Sequence, residues 1–196
     1  MSPIVLASGS AIRAKILKAA GVRFEVVRPD VDEDALKKTA AAEGVSIEQT
    51  AARLADAKAL AVSSAGRIVL GSDQILALGA QSFDKPKTMR EARERLLILQ
   101  GRDHRLINAV SIAKDGEVVF RHLDTPRLFM RAMSAAQIDA YLDAAGEEIL
   151  ASVGAYQIEA LGGRLFERIE GDYFSVLGLS LFPALGYLAR EGILAF

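Results

Sequence analysis

Two hydrophobic rhythms alternate along the first half of the chain. Ile4-Val5-Leu6-Ala7 is a short apolar run that predicts a strand, and it turns through Ser8-Gly9-Ser10 into a helix over Ala11 to Ala20, stopped by Gly21. Phe24 to Val27 predicts a second strand, ending at Pro29. After the acidic run Asp30 to Asp34, a helix is expected near Asp34 to Ala42. Ser46 and Gln49 form a capping-box pattern that opens a longer helix to about Ser63, with an apolar stripe of Ile47, Leu54, Ala57 and Ala61. Arg67 to Leu78 then reads as two apolar runs around a polar interruption, Gly71-Ser72-Asp73-Gln74. Continuous apolar runs of this kind suit strands covered on both faces.

The second half is richer in hairpins. Ser82 to Thr88 reads as a loop; Thr88 and Glu91 then cap a helix to Gln100, with Gly101 as its stop. His104 to Ala113 predicts a strand, Asp115-Gly116 a two-residue hairpin, and Glu117 to Leu123 the returning strand. Thr125 to Met133 predicts another strand, with Arg127, Phe129 and Arg131 alternating. Ser134 and Gln137 cap a helix to Ala145, closed by Gly146. Gly154 to Glu159 and Gly163 to Ile169 are strand-like, and Gly171 to Ser180 is a glycine-bounded loop able to pack beneath a site. A last helix covers Leu181 to Arg190, with Pro183 in its first turn. Alternation followed by hairpins predicts an α/β fold: a mixed central β-sheet flanked by helices, two lobes and a cleft, in one domain over residues 1–196.

Composition narrows the chemistry. Lys plus Arg is 24 against 25 Asp plus Glu, and aromatic residues are 6%, which offers neither a basic face nor a stacking platform for nucleic acid. Cysteine is absent, which excludes thiolate catalysis, disulfides and Cys-based zinc sites. With only His104 and His122, a His-rich metal site is excluded too. No signal-peptide pattern and no membrane-length apolar run occurs, so the expectation is a cytoplasmic protein that engages neither membrane nor nucleic acid. The apolar tail Ile193 to Phe196 has two readings, a homodimer contact or a frayed end.

Several positions then stand out locally. A strand running into Ser8-Gly9-Ser10 and a helix start directs backbone N–H groups into one space, and Arg13 sits in the first turn. That is an anion site in outline; the plainer reading is a serine N-cap with Arg13 in solvent. Lys58 shares or borders the apolar stripe of its helix, so it either snorkels to water or crosses to a buried anion. Asp73 inside an apolar strand is costly unless paired or metal-bound, the alternative being an exposed turn. The carboxylates of Asp30 to Asp34 either favour a helix start or place one oxygen ligand on a metal. Lys85, before Pro86, is held extended.

In order along nearly the whole chain, LASGSAIRAKIL, VDE at Val31 to Glu33, DAKA around Lys58, GSDQ around Asp73, DKP at Asp84 to Pro86, GRDH at Gly101 to His104, GAYQIE and FERIEGDYFSVLGLSL resemble the Maf family of nucleoside triphosphate pyrophosphatases, within the inosine-triphosphatase-like fold. The resemblance implies hydrolysis of a nucleoside triphosphate to monophosphate and pyrophosphate with a divalent metal, Mg²⁺ or Mn²⁺. It implies that Ser8, Ser10, Arg13, Lys58 and Lys85 bind the polyphosphate, and that Glu33 and Asp73 offer oxygen to the metal. Asp73 is implied as proton acceptor. A metal ligand is a poor base, so two sub-readings stand: direct proton abstraction, or positioning of the water through the metal.

The sequence departs from the family pattern in two places. Ala11 and Ile12 replace the usual Pro and first Arg, and Ser180 stands where Pro is usual. Gln74 after Asp73 and Glu159 in the expected late strand look like the subgroup acting on 7-methyl-GTP, with Ile12, Gln74 and Glu159 lining the base pocket. A carboxylate can accept two hydrogen bonds from a guanine edge, where uracil or thymine offers one donor. The alternatives are a dTTP/UTP-preferring pyrophosphatase and a non-catalytic nucleotide-binding regulator of septum formation.

Overall fold

The computed structural model describes residues 4–195. The chain opens with β1 (Ile4–Ala7), α1 (Ala11–Ala19) and β2 (Phe24–Val27). Next come α2 (Glu33–Ala42), α3 (Ile47–Ala61) and β3 (Ile68–Leu78). They are followed by β4 (Gln81–Phe83), α4 (Met89–Leu99), β5 (Asp103–Lys114), β6 (Glu117–Asp124) and β7 (Arg127–Met130). The rest comprises α5 (Ala135–Ala145), two short 3₁₀ turns (Glu147–Ala151 and Leu161–Leu165), β8 (Phe166–Glu170), α6 (Tyr173–Leu177) and α7 (Leu181–Arg190).

The strands pair in the order β2-β1-β3-β5-β7-β8, with β4 added to β3 and β6 to β5. β1 pairs in parallel with both β2 and β3, whereas the β3–β4, β5–β6, β5–β7 and β7–β8 ladders are antiparallel. The sheet is therefore mixed and flanked by helices, as the alternation of patterns requires. No helix among the described residues is long and apolar enough to cross a membrane.

Residues divide into two units. Of the described residues, the first holds 4–74, 108–124 and 178–195; the second holds 75–107 and 125–177, so β3 and β5 contribute to both. In the first unit Val5, Ala7, Ala59, Val69 and Ala113 pack together. Small residues on α3 let it lie close on β3. At Gly71 the approach is closest: a Cβ there would stand 2.4 Å from the Ala55 carbonyl oxygen and 2.7 Å from the Ala59 nitrogen. In the second unit a larger core gathers Leu96, Leu99, Leu106, Leu128, Ile138 and Phe166. Each such side chain contributes roughly 1.5–3 kcal/mol by leaving water. His104 lies within this core, its Nε2 2.7 Å from the Tyr156 hydroxyl and its ring against Phe166. Burial pushes the imidazole down to about 4, against the opposing pull of Asp103, so it is neutral near pH 7. Burial raises the Tyr156 phenol, which stays protonated.

Most local signals act as written. The capping boxes at Ser46–Gln49 and Ser134–Gln137 are both closed. Thr88 accepts from the Glu91 amide, while the Glu91 carboxylate reaches back to the Lys87 amide instead of to Thr88. Asp115 and Gly116 take φ of 53° and 83°, which the hairpin needs.

Four stretches differ from expectation. Gly154 to Glu159 is not a strand: it runs as turns, because the Tyr156 ring folds back over Gly154 so closely that a Cβ there would stand 2.1 Å from it. Gly163 to Ile169 begins with a 3₁₀ turn and becomes β8 only at Phe166, since Gly162 leaves room for the Gln157 carbonyl to approach. The strand expected over Thr125 to Met133 is only Arg127–Met130. Arg131 instead sends its amide to the Leu165 carbonyl and its Nε to that of Phe166. Gly171 to Ser180 is not all loop, since it contains α6. The hairpin joining β3 to β4, turning on Gly79 at φ 60°, was not expected. Of the expected apolar tail, Phe196 lies outside the described residues.

Candidate active site

β3 runs straight through Gly71-Ser72-Asp73-Gln74 with no turn, and Asp73 is 6% exposed within it. Side chains alternate along a strand, so Gly71 and Asp73 face the same side, toward α3. The close approach at Gly71 brings Lys58, on the packed face of α3, over Asp73. Lys58 Nζ lies 2.6 Å from Asp73 Oδ1 and 2.9 Å from Glu33 Oε1, with Lys58 7% exposed. The packed face of α3 is Ala51, Leu54, Ala55, Lys58 and Ala59, not the expected stripe, of which Ile47 and Ala57 are half-buried and Ala61 exposed; from that face Lys58 crosses to carboxylate, and the aspartate in the apolar strand is paired. The acidic run divides its work. Asp32 caps α2 by accepting from the Ala35 amide, and Glu33, one residue later, turns to Lys58.

Arg13 organises the neighbouring edge. The β1–β3 ladder ends at the pair Ala7 and Gly71. The next β3 carbonyl, Ser72, accepts from Arg13 Nη1 at 2.8 Å. Arg13 Nη1 also donates to Ser8 Oγ at 3.2 Å, and its Nε to the Gly178 carbonyl at 2.6 Å. The same Gly178 carbonyl accepts from Ser72 Oγ. Burial lowers the Arg13 guanidinium from its ordinary value, opposed by the charges of Asp73 and Glu33. The Arg13 and Lys58 cations balance the Asp73 and Glu33 carboxylates, two against two.

Ser8 is buried, its Oγ also accepting from the Ser10 amide at the mouth of α1. Ser10 precedes that helix without capping it through its side chain. The Arg28 guanidinium lies over Gly9 of this loop, about 3.1 Å from where a Cβ would stand. Gln74 approaches Gly178 from the end of the interrupted run. Ser8, Ser10, Ile12, Arg13, Glu33, Lys58, Asp73 and Gln74 all belong to the first unit, while Lys85 and Glu159 belong to the second. Lys85 is exposed between β4 and α4. Glu159 is exposed on a turn, which corrects its expected place in a late strand. Sequence reasoning missed the Gly178 carbonyl and Arg28. A carbonyl carries no sequence signal, and Arg28 is one cation among many until β2 sets it beside Gly9.

The point on which the Asp73 and Glu33 carboxylates converge is taken by the Lys58 ammonium, so a divalent metal of the Mg²⁺ class would draw on their oxygens beside that ammonium and not at that point. Such an ion takes hard oxygen donors, commonly one or two carboxylates, and completes its shell with substrate phosphate and water. No group of three or more His, Cys, Asp or Glu gathers as a metal cage among the described residues.

Comparison with known proteins gives a consistent picture. The family described as "Maf-like protein" matches residues 3–191. A relative from Rhodospirillum rubrum named "Nucleoside triphosphate pyrophosphatase" is 45% identical over 98% of this chain and 96% of its own. One of the same name from Caulobacter vibrioides is 45% identical over 99% of this chain and 98% of its own. Another, from Rhodopseudomonas palustris, is 44% identical over 99% and 96%.

Proposed function

Because the chain belongs to the Maf family, we propose that it is a nucleoside triphosphate pyrophosphatase, converting a nucleoside triphosphate and water to a nucleoside monophosphate and pyrophosphate. The observation that carries this reading is Asp73, buried inside a strand and bonded to Lys58 with Glu33 alongside. A structural role alone gives no reason for an ionised group there, since an apolar pair would serve the core as well.

Water attacks the α-phosphorus and the bond to the bridging oxygen of the β-phosphate breaks. In this reading Asp73, whose Oδ1 accepts from Lys58 Nζ at 2.6 Å, either takes the proton of the water directly or positions that water through the metal. Arg13 has three N–H groups on protein oxygen and two more on Nη2, which suit a phosphate oxygen. Ser8, Ser10 and the start of α1 add donors for the same anion. Lys85 enters from the family resemblance as a further cation for the polyphosphate. A metal held by Glu33 and Asp73 would supply charge neutralisation on the leaving pyrophosphate and ease deprotonation of water.

For the base we propose 7-methyl-GTP, with Ile12, Gln74 and Glu159 as the discriminating residues. The support is chemical: the Glu159 carboxylate matches the two donors of a guanine edge. A panel of 7-methyl-GTP, GTP, UTP and dTTP with Mg²⁺ or Mn²⁺ tests both levels. Pyrophosphate release from any member supports the enzyme; the highest kcat/KM on 7-methyl-GTP supports the purine reading, and a preference for UTP or dTTP ends it. EDTA is expected to abolish turnover.

A further inference from the structure

Ser180 sits at the N-cap of α7 but does not cap it with its side chain. A serine there ordinarily accepts from an amide two or three residues on. Here the hydroxyl donates to Asn108 Oδ1 at 2.9 Å, and the Ser180 amide donates to the same oxygen at 3.1 Å. Both residues are fully buried. The amide of Ser180 can only donate, so the carboxamide oxygen must face it. Asn108 Nδ2 is then left buried with no hydrogen-bond partner among the described residues, a costly arrangement for an amide. A helix cap and a buried donor are thus both given up to hold one backbone position.

That position lies two residues from Gly178, whose carbonyl accepts from both Arg13 Nε and Ser72 Oγ. Gly178 is at φ 106°, a backbone state that glycine adopts without strain and from which it is also free to move. We propose that Asn108 is a positioning residue of the phosphate site: by clamping Ser180 it fixes the Gly178 carbonyl, and so aims the Arg13 guanidinium between Ser8 and Ser72. Ser180 stands where the family resemblance leads one to expect proline, and its φ of −68° is one a proline adopts. Proline has no amide donor. Asn108 supplies the acceptor that serine's amide requires, and the two residues work as a pair.

The kinetic side of this inference rests on the pyrophosphatase reading; the structural side does not. The test is a cycle of Asn108→Val, Ser180→Pro and the double variant. Three readouts are taken: solvent exchange of the Arg13 Nε–H by NMR, assigned with Arg13→Lys; KM and kcat for the nucleotide; and Tm. Asn108→Val is expected to speed Arg13 Nε–H exchange and raise KM, each about tenfold, a change worth ~1.4 kcal/mol, with kcat altered far less. The double variant, which removes donor and acceptor together, is expected to return both within about threefold of wild type. Unchanged Arg13 exchange in Asn108→Val, even with a lower Tm, overturns the proposal, as does a double variant no better than the single. Should Asn108→Val fail to fold, Ser180→Ala is read instead: a smaller change in the same direction supports the proposal and no change overturns it. A wild-type protein without nucleotide hydrolysis defeats the pyrophosphatase reading, while the exchange result still decides the role of Asn108.

Discussion

Lys58 decides what Asp73 can be. Removing the ammonium by Lys58→Met leaves a buried carboxylate beside apolar neighbours, and the loss expected from breaking a buried pair is about 3–5 kcal/mol, read by urea unfolding. Glu33→Gln on the same lysine should cost no more than about 1 kcal/mol, because the Glu33 side chain is 42% exposed and water screens it. Asp73→Asn keeps shape and removes charge, so the expected result is a folded protein with kcat lower by about 10²–10⁴. Equal stability losses in Lys58→Met and Glu33→Gln would contradict this ranking. At this scale much was legible in the sequence. An aspartate in an apolar strand and a lysine on an apolar stripe are each anomalous alone, and each is the other's explanation. The third brace, Gly178, was not legible, since a backbone carbonyl looks the same in every residue.

At the scale of elements, α3 and β3 form the working pair, and Gly71 is what lets them meet. Gly71→Ala would press a methyl into the Ala55 carbonyl, and a stability loss of roughly 1–3 kcal/mol is expected, with activity lost as Lys58 is lifted from Asp73. A variant as stable and active as wild type would show that the contact relaxes freely. Helix starts were legible because caps are local: Ser46 with Gln49 and Ser134 with Gln137 need nothing beyond their own turn. The Gly154 to Glu159 stretch was not, because its path is set by where the Tyr156 ring packs, against His104 and Phe166 from distant strands. Its apolar content looked like a strand and serves a turn.

For the whole molecule, His104 sets a limit on the acid side. Its imidazole, lowered from 6.5 to about 4 by burial, refuses a proton that the unfolded chain accepts. The stability this contributes is full above pH 6.5 and is lost as pH falls from there toward 4, by about 3 kcal/mol in all. His104→Gln, which keeps an acceptor for the Tyr156 hydroxyl, should flatten that part of the stability profile; an unchanged slope would place the acid sensitivity elsewhere. The mixed sheet followed from the order of patterns, whereas the division of β3 and β5 between two units did not, because nothing in a single strand's sequence marks where its packing partners change.

The central claim is hydrolysis at the α-phosphorus by a site built on Asp73. The most direct measurement is turnover of a nucleoside triphosphate with Mg²⁺ in water labelled with heavy oxygen, followed by mass spectrometry of the products. The expected result is label in the nucleoside monophosphate, unlabelled pyrophosphate, and turnover by Asp73→Asn lower by about 10²–10⁴. Release of orthophosphate, label in the pyrophosphate, or full activity in Asp73→Asn would contradict it.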